Sequence, residues 1–135
     1  MTVTVKCISL TQPWASLMAL GLKKVETRGW YTSYRGPLAI HAAKRFPPEA
    51  RRLAEAERAL GRLPARLPFG AIIATLQLED VLETLAVVQS LSGLERLYGD
   101  YSDGRFAWFT DKVTELALPI PWRGQLGLFT VEIPE

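Results

Sequence analysis

The chain has 135 residues, 48% of them hydrophobic and 22% charged, with a formal net charge of +2. This is enough chain for one domain with a real core and no need of metal or disulfide staples. No apolar run is long enough to span a bilayer. The single cysteine, Cys7, excludes an internal disulfide. His41 as the only histidine excludes a multi-histidine metal site. Nothing in the sequence calls for a metal or a cofactor. The N-terminal residues have no secretory h-region, so a cytoplasmic protein is expected.

Taken in chain order, Thr2–Leu10 is rich in β-branched residues and reads as a strand. Thr11 is placed as an N-cap with Pro13 in the first turn of a helix running to Leu20. Trp14, Leu17, Met18 and Leu20 are expected to face inward, and Gly21 to cap the C-terminus. Residues 23–29 read as a second strand, and Tyr31–Gly36 as a loop. Pro37–Ala43 is apolar or small on both faces, which predicts a central strand. Pro48–Leu60 has a helical period, with Leu53, Ala56 and Leu60 inward and Arg51, Arg52, Glu55 and Arg58 outward. In Gly70–Leu82, Ile72, Ala74, Leu76 and Leu78 fall in one phase, taken as the core face. A short helix is expected within residues 85–98, and a loop at Tyr98–Gly104. A strand is expected at Arg105–Thr110, an irregular return at Pro119 and Pro121, and a last strand at Gly124–Ile133. About six strands with few, separated helices predict an α+β domain on a curved sheet or barrel.

The densest chemistry lies between Ser9 and Trp30. Strand alternation puts Lys24, Glu26, Arg28 and Trp30 on one face and Val25 and Thr27 on the other. With Val25 in the core, Glu26, Arg28 and Trp30 point outward or into a cleft. An arginine can grip a phosphate and a tryptophan can stack a base. The alternative is an exposed edge carrying a Glu–Arg pair. His41 is either a hydrogen-bonded core histidine or a cleft histidine near Lys44 that moves a proton. Cys7 reads as a buried small hydrophobe. Glu79 and Asp80 read as end-of-strand polarity, or as a base or a partner for Lys23. Trp122 and Arg123, in a turn, are placed as a possible cleft border. Residues 23–66 hold eleven Lys and Arg side chains, which reads equally as a nucleic-acid face and as a solvated, salt-bridged helix surface. No P-loop, G-x-G-x-x-G, G-x-S-x-G or H-E-x-x-H motif is present.

The segment SLTQPWASLMALGLKKVETRGW, followed by YRGPLAIHAAK, resembles the ASCH domain family, a relative of the PUA-like barrels. The family's G-x-K-x-x-E-x-R pattern falls on Gly21, Lys23, Glu26 and Arg28. Gln12-Pro13-Trp14, Arg35-Gly36-Pro37, His41-Ala42, GRFAW at 104–108 and RGQLGLF at 123–129 extend the likeness over nearly the whole chain. It implies one PUA-like domain over residues 1–135, a β-barrel or strongly curved mixed sheet flanked by a few helices. It implies RNA or single-stranded nucleic acid as ligand, bound in a cleft lined by the motif. Gln12, Trp14, Lys23, Arg28, Trp30, Arg35 and Lys44 are then the expected nucleic-acid contacts. Some relatives are enzymes, and a small hydrolase is the alternative. It would cleave RNA or an acylated nucleoside such as N4-acetylcytidine, with Lys23, Glu26 and His41 as catalytic residues. One such branch uses a Lys and a Thr three residues apart plus a Glu; here Glu26 occupies the Thr position. A protein-interaction module is the third reading.

Overall fold

The computed structural model describes all 135 residues. Six strands form one sheet: β1 (Thr2–Leu10), β2 (Val25–Arg28), β3 (Gly36–Ala42), β4 (Ala71–Glu83), β5 (Phe106–Pro121) and β6 (Phe129–Pro134). Four short helices accompany them: α1 (Trp14–Ala19), α2 (Pro48–Ala59), α3 (Thr84–Val87) and α4 (Gly93–Leu97). The strand order is β2-β5-β4-β3-β1-β6. The β1–β3 pair is parallel and every other pair antiparallel, so the fold is α+β on a mixed sheet.

The sheet is open, which corrects the expectation of a barrel or strongly curved sheet. β2 and β6 are its two edges and no ladder joins them. β2 has only four residues, and pairing from Val25↔Phe109 to Arg28↔Phe106 uses all of them. The N–H groups of Lys24 and Val25 donate to the Glu95 carboxylate, and the Thr27 carbonyl accepts from Arg105. Side chains thus take up part of the hydrogen bonding that a further strand would need.

The sheet buries both faces. On one, Ile8, Leu10, Leu38, Ile40, Leu76, Leu78 and Trp108 pack against Ala15, Met18 and Ala19 of α1. On the other, Cys7, Ala39, Ile72, Phe129, Val131 and Ile133 form a second cluster. β3 is interior, as its double-sided apolar pattern requires. In β4 the sequence phase holds for Ala74, Leu76 and Leu78, while Ile72 lies on the opposite face. The register runs Ile40↔Ala74 and then His41↔Ile72, so Ile73 is an extra residue. A bulge reverses alternation beyond it.

Other elements also differ from the sequence reading. β5 continues through Pro119 and Pro121 rather than ending at Thr110. β2 covers only Phe106–Phe109 of it, so the outer edge beyond is free and tolerates proline. The last strand starts at Phe129, and residues 122–128 are a loop. α2 turns Ala50, Ala54 and Glu57 inward, leaving Ala56 and Leu60 exposed. The small alanines let α2 approach closely, and buried Glu57 accepts from Arg62 at 3.0 Å and from the Tyr98 hydroxyl. Leu17, Ala54, Leu63 and Tyr98 form the cluster above this pair. Leu20 is exposed, because α1 ends one residue before it and Gly21 turns the chain at φ +76°.

Cys7 is fully buried, and burial pushes its thiol up to about 12. The folded chain is expected to leave dithionitrobenzoate unreacted at pH 8, while the urea-unfolded chain reacts with one equivalent. Because the folded value lies above the ordinary 9.0, the stability that the neutral thiol contributes is complete below pH 9 and is lost as the pH rises toward 12. Leu17→Ala, at a fully buried position, is expected to cost about 2–5 kcal/mol in urea denaturation.

Candidate nucleic-acid interface

Two adjoining cavities open where the parallel strands β1 and β3 end. The larger, about 1030 Å³, is lined by Ser9, Thr11, Arg28, Trp30, His41, Lys44, Arg45, Trp122 and Arg123, among others. The smaller, about 370 Å³, is lined by Leu10, Trp14, Glu26, Thr27, Tyr98, Gly99 and Asp100. Ser9, Thr11 and Arg28 belong to both. The larger cavity carries four cationic side chains and no carboxylate. The smaller carries two carboxylates, and Arg28 is its only cation.

The floor of the larger cavity follows from strand register. Ser9 and His41 are partners across the parallel pair, on the face that also holds Cys7 and Ala39. The Trp122 carbonyl lies 2.7 Å from His41 Nε2 and can only accept, so Nε2 carries the proton. Ser9 Oγ lies 2.9 Å from Nδ1. His41 is therefore a buried, hydrogen-bonded histidine that also lines the cleft. Gly124 crosses directly above it; a Cβ there would lie 2.9 Å from His41 Cε1. Gly70, at φ +66°, lies beneath the aliphatic stem of Lys44, where a Cβ would sit 2.8 Å from Cε. The stem therefore runs over backbone, with its exposed ammonium at the cavity.

The G-x-K-x-x-E-x-R residues form a line from the interior to the cleft. Gly21 reverses the chain after α1, with Leu22 and Lys23 N–H groups both donating to the Leu17 carbonyl. Lys23 is fully buried. Its ammonium donates to the carbonyls of Val25 and Tyr98 and lies 3.4 Å from Glu26 Oε1. The two carbonyls take hydrogen bonds and the carboxylate supplies the opposite charge, and Lys23 lines neither cleft cavity. Glu26 Oε2 lies 3.5 Å from Arg28 Nε. Arg28 Nη2 donates to the Ser9 carbonyl at 2.7 Å, and its Nε has no hydrogen-bond partner.

The other residues singled out from the sequence are divided. Trp30 borders the larger cavity, half-exposed, with its ring edge-on to Trp108 at 4.9 Å. Trp14 borders the smaller one. Gln12 is fully buried and fixes the start of α1: its Oε1 accepts from Ser16 N–H, and Nε2 donates to Ser16 Oγ and the Pro68 carbonyl. Arg35 lies outside both cavities. It donates to the carbonyls of Thr32 and Tyr34 and pairs with Asp80 at 3.6 Å. Asp80 and Glu79 are exposed; the carboxylate beside Lys23 is that of Glu26. The sequence assigns no site role to Ser9, Thr11, Arg45, Gln125 or Leu126, all on the larger cavity. Position after a strand end was the available signal for Thr11 and Arg45. Residues 125–126 fall within the strand expected at Gly124–Ile133, whereas the structure has them in a loop.

Residues 8–120 match the ASCH domain. The chain belongs to the ASCH domain family. It is 32% identical over 132 residues to Activating signal cointegrator 1 of Homo sapiens, and 31% to that of Mus musculus. Each comparison covers 93% of this chain and 22% of the relative, so the chain spans about a fifth of the curated relatives it matches. The fold is similar to the crystal structure of ASCH from Zymomonas mobilis, with a TM-score of 0.61 at 17% identity, covering 93% of this chain and 86% of that one. A serine-to-alanine variant of that protein gives 0.60 at 17% identity, with 93% and 87% covered. The ASCH domain has a PUA-like fold, a fold associated with RNA binding. No helix is long and apolar enough to cross a membrane.

The buried Lys23–Glu26 pair sets up the next measurement. Lys23→Ala is expected to cost about 3–5 kcal/mol of folding stability, since Glu26 and two carbonyls lose their cation. Lys44→Ala, an exposed side chain, is expected to change stability by less than about 0.5 kcal/mol. Urea melts of the two variants check both values.

Proposed function

We propose that this ASCH domain binds RNA or another single-stranded nucleic acid in the larger cavity. The observation that carries this reading is the lining: Arg28, Lys44, Arg45 and Arg123 with two tryptophans and no acidic side chain. Cations neutralise backbone phosphates, and half-exposed aromatic rings give unstacked bases a surface. A single strand presents both together, whereas a duplex hides its base faces. Lys23 serves this site from inside, by holding Glu26 and through it Arg28.

Fluorescence anisotropy of an end-labelled single-stranded RNA tests the reading. Affinity is expected to fall with salt at a slope of roughly −2 to −3 in log–log form, for three or four phosphate contacts. Lys44→Ala is expected to make that slope shallower by about 0.7. Trp30→Ala is expected to weaken binding by about 1–3 kcal/mol, with the slope unchanged. Binding that ignores salt would remove the cavity as the site.

The hydrolase reading assigns Lys23, Glu26 and His41 to one reaction. Its geometry is less favourable, because Glu26 and His41 line different cavities and the Lys23 ammonium is buried, donating to two carbonyls and lining neither cavity. The same titration followed over time separates the two. A stable signal is expected; a rise followed by a fall would put cleavage first.

A further inference from the structure

We propose that the smaller cavity selects a guanine base, read by the Glu26 carboxylate, while the backbone of the same strand lies in the larger cavity. This rests on the RNA-binding reading above.

The two cavities meet at Arg28, and their charges divide the work. A phosphate is drawn to the four-cation side and repelled by Glu26 and Asp100 on the other. What enters the smaller cavity is therefore the neutral part of the nucleotide. A volume of about 370 Å³ lies in the ordinary range for small-ligand sites, and Trp14 gives the base an aromatic wall.

The carboxylates decide which base. Asp100 is already engaged: its Oδ1 accepts from the N–H and hydroxyl of Ser102, and Oδ2 faces Arg105. Glu26 is different. Its ion pairs to Lys23 and Arg28 are 3.4 and 3.5 Å long, one on each oxygen, and it accepts no hydrogen bond from the protein. It is held in place by charge, yet both oxygens keep acceptor capacity toward the cavity. A carboxylate of that kind best matches two parallel N–H donors. Guanine has them side by side, at N1 and the N2 amine. Cytosine and adenine offer one amine beside an acceptor nitrogen. Uracil offers one N–H between two carbonyl oxygens, which a carboxylate repels.

The test uses three 3′-fluorescein hexaribonucleotides, all uridine except for a central guanosine, inosine or uridine. Inosine keeps the N1–H and lacks the N2 amine. The guanosine hexamer is expected to bind wild-type protein at least about tenfold more tightly than the inosine one, the value of one hydrogen bond to a charged group. The uridine hexamer is expected to bind more weakly still. In Glu26→Gln the three affinities are expected to converge to within about twofold while the salt dependence remains. Should that variant fail to fold, for want of a counter-charge on Lys23, the guanosine–inosine comparison on wild type decides alone. Three equal affinities with steep salt dependence would overturn the guanine assignment and leave the RNA reading standing. No binding by any hexamer would overturn both.

Discussion

The structure is organised around one buried cation. An ammonium taken out of water is costly unless it is hydrogen-bonded and paired with an opposite charge. Lys23 meets that requirement with carbonyls from two distant segments, Val25 and Tyr98, and with the Glu26 carboxylate. The exit of α1, the start of β2 and the loop after α4 are thereby tied to one point. The Gly21 turn is part of the same constraint, since it directs the chain back so that the lysine enters the interior. Glu26 then has one oxygen turned inward to Lys23 and the other toward Arg28. The three charges of the motif act as one chain, in which only the last member fronts the larger cavity.

The sheet supplies the second half of the site. A parallel pair ends both its strands at the same side of the sheet, so the segments after Leu10 and Ala42 emerge together. Thr11 follows one strand; Ala43, Lys44 and Arg45 follow the other. The loop at 122–128 brings Trp122 and Arg123 from a third direction. The Ser9–His41–Trp122 hydrogen bonds join these pieces from below. Gly124 is needed there because His41 occupies the space a side chain would take.

Much of this was legible in the sequence because it obeys simple periods. β1, the central place of β3 and the outward phase of Glu26 and Arg28 follow from alternation alone. The failures have local causes. An extra residue at Ile73 turned Ile72 to the other face, and no residue type announces a bulge. In α2, hydrophobicity pointed to Leu53, Ala56 and Leu60, but the buried stripe is made of small alanines and a glutamate satisfied by partners 5 and 41 residues away. Pro119 and Pro121 suggest an irregular return, although they belong to β5, where β4 pairs one side and β2 leaves the other free. The role of Lys23 was hidden for the same reason as that of Glu57. A charged residue reads as exposed, and the carbonyl of Tyr98 that holds it lies 75 positions on. Long-range polar satisfaction is invisible to a local pattern.

The small net charge concealed how unevenly charge is placed. A value of +2 is compatible with a cleft of four cations that no carboxylate lines, with Glu26 and Asp100 in the adjoining cavity. That arrangement asks for arginine at position 28. One planar group donates to the Ser9 carbonyl through Nη2 and presents Nε to Glu26. It has further donors in fixed directions for a ligand. A lysine has a single charged nitrogen and no fork, so it would have to choose between the carbonyl, the carboxylate and the cleft. The guanidinium couples the two cavities because its geometry lets it face both at once. Anything that moves Glu26 moves the cation that a phosphate would meet.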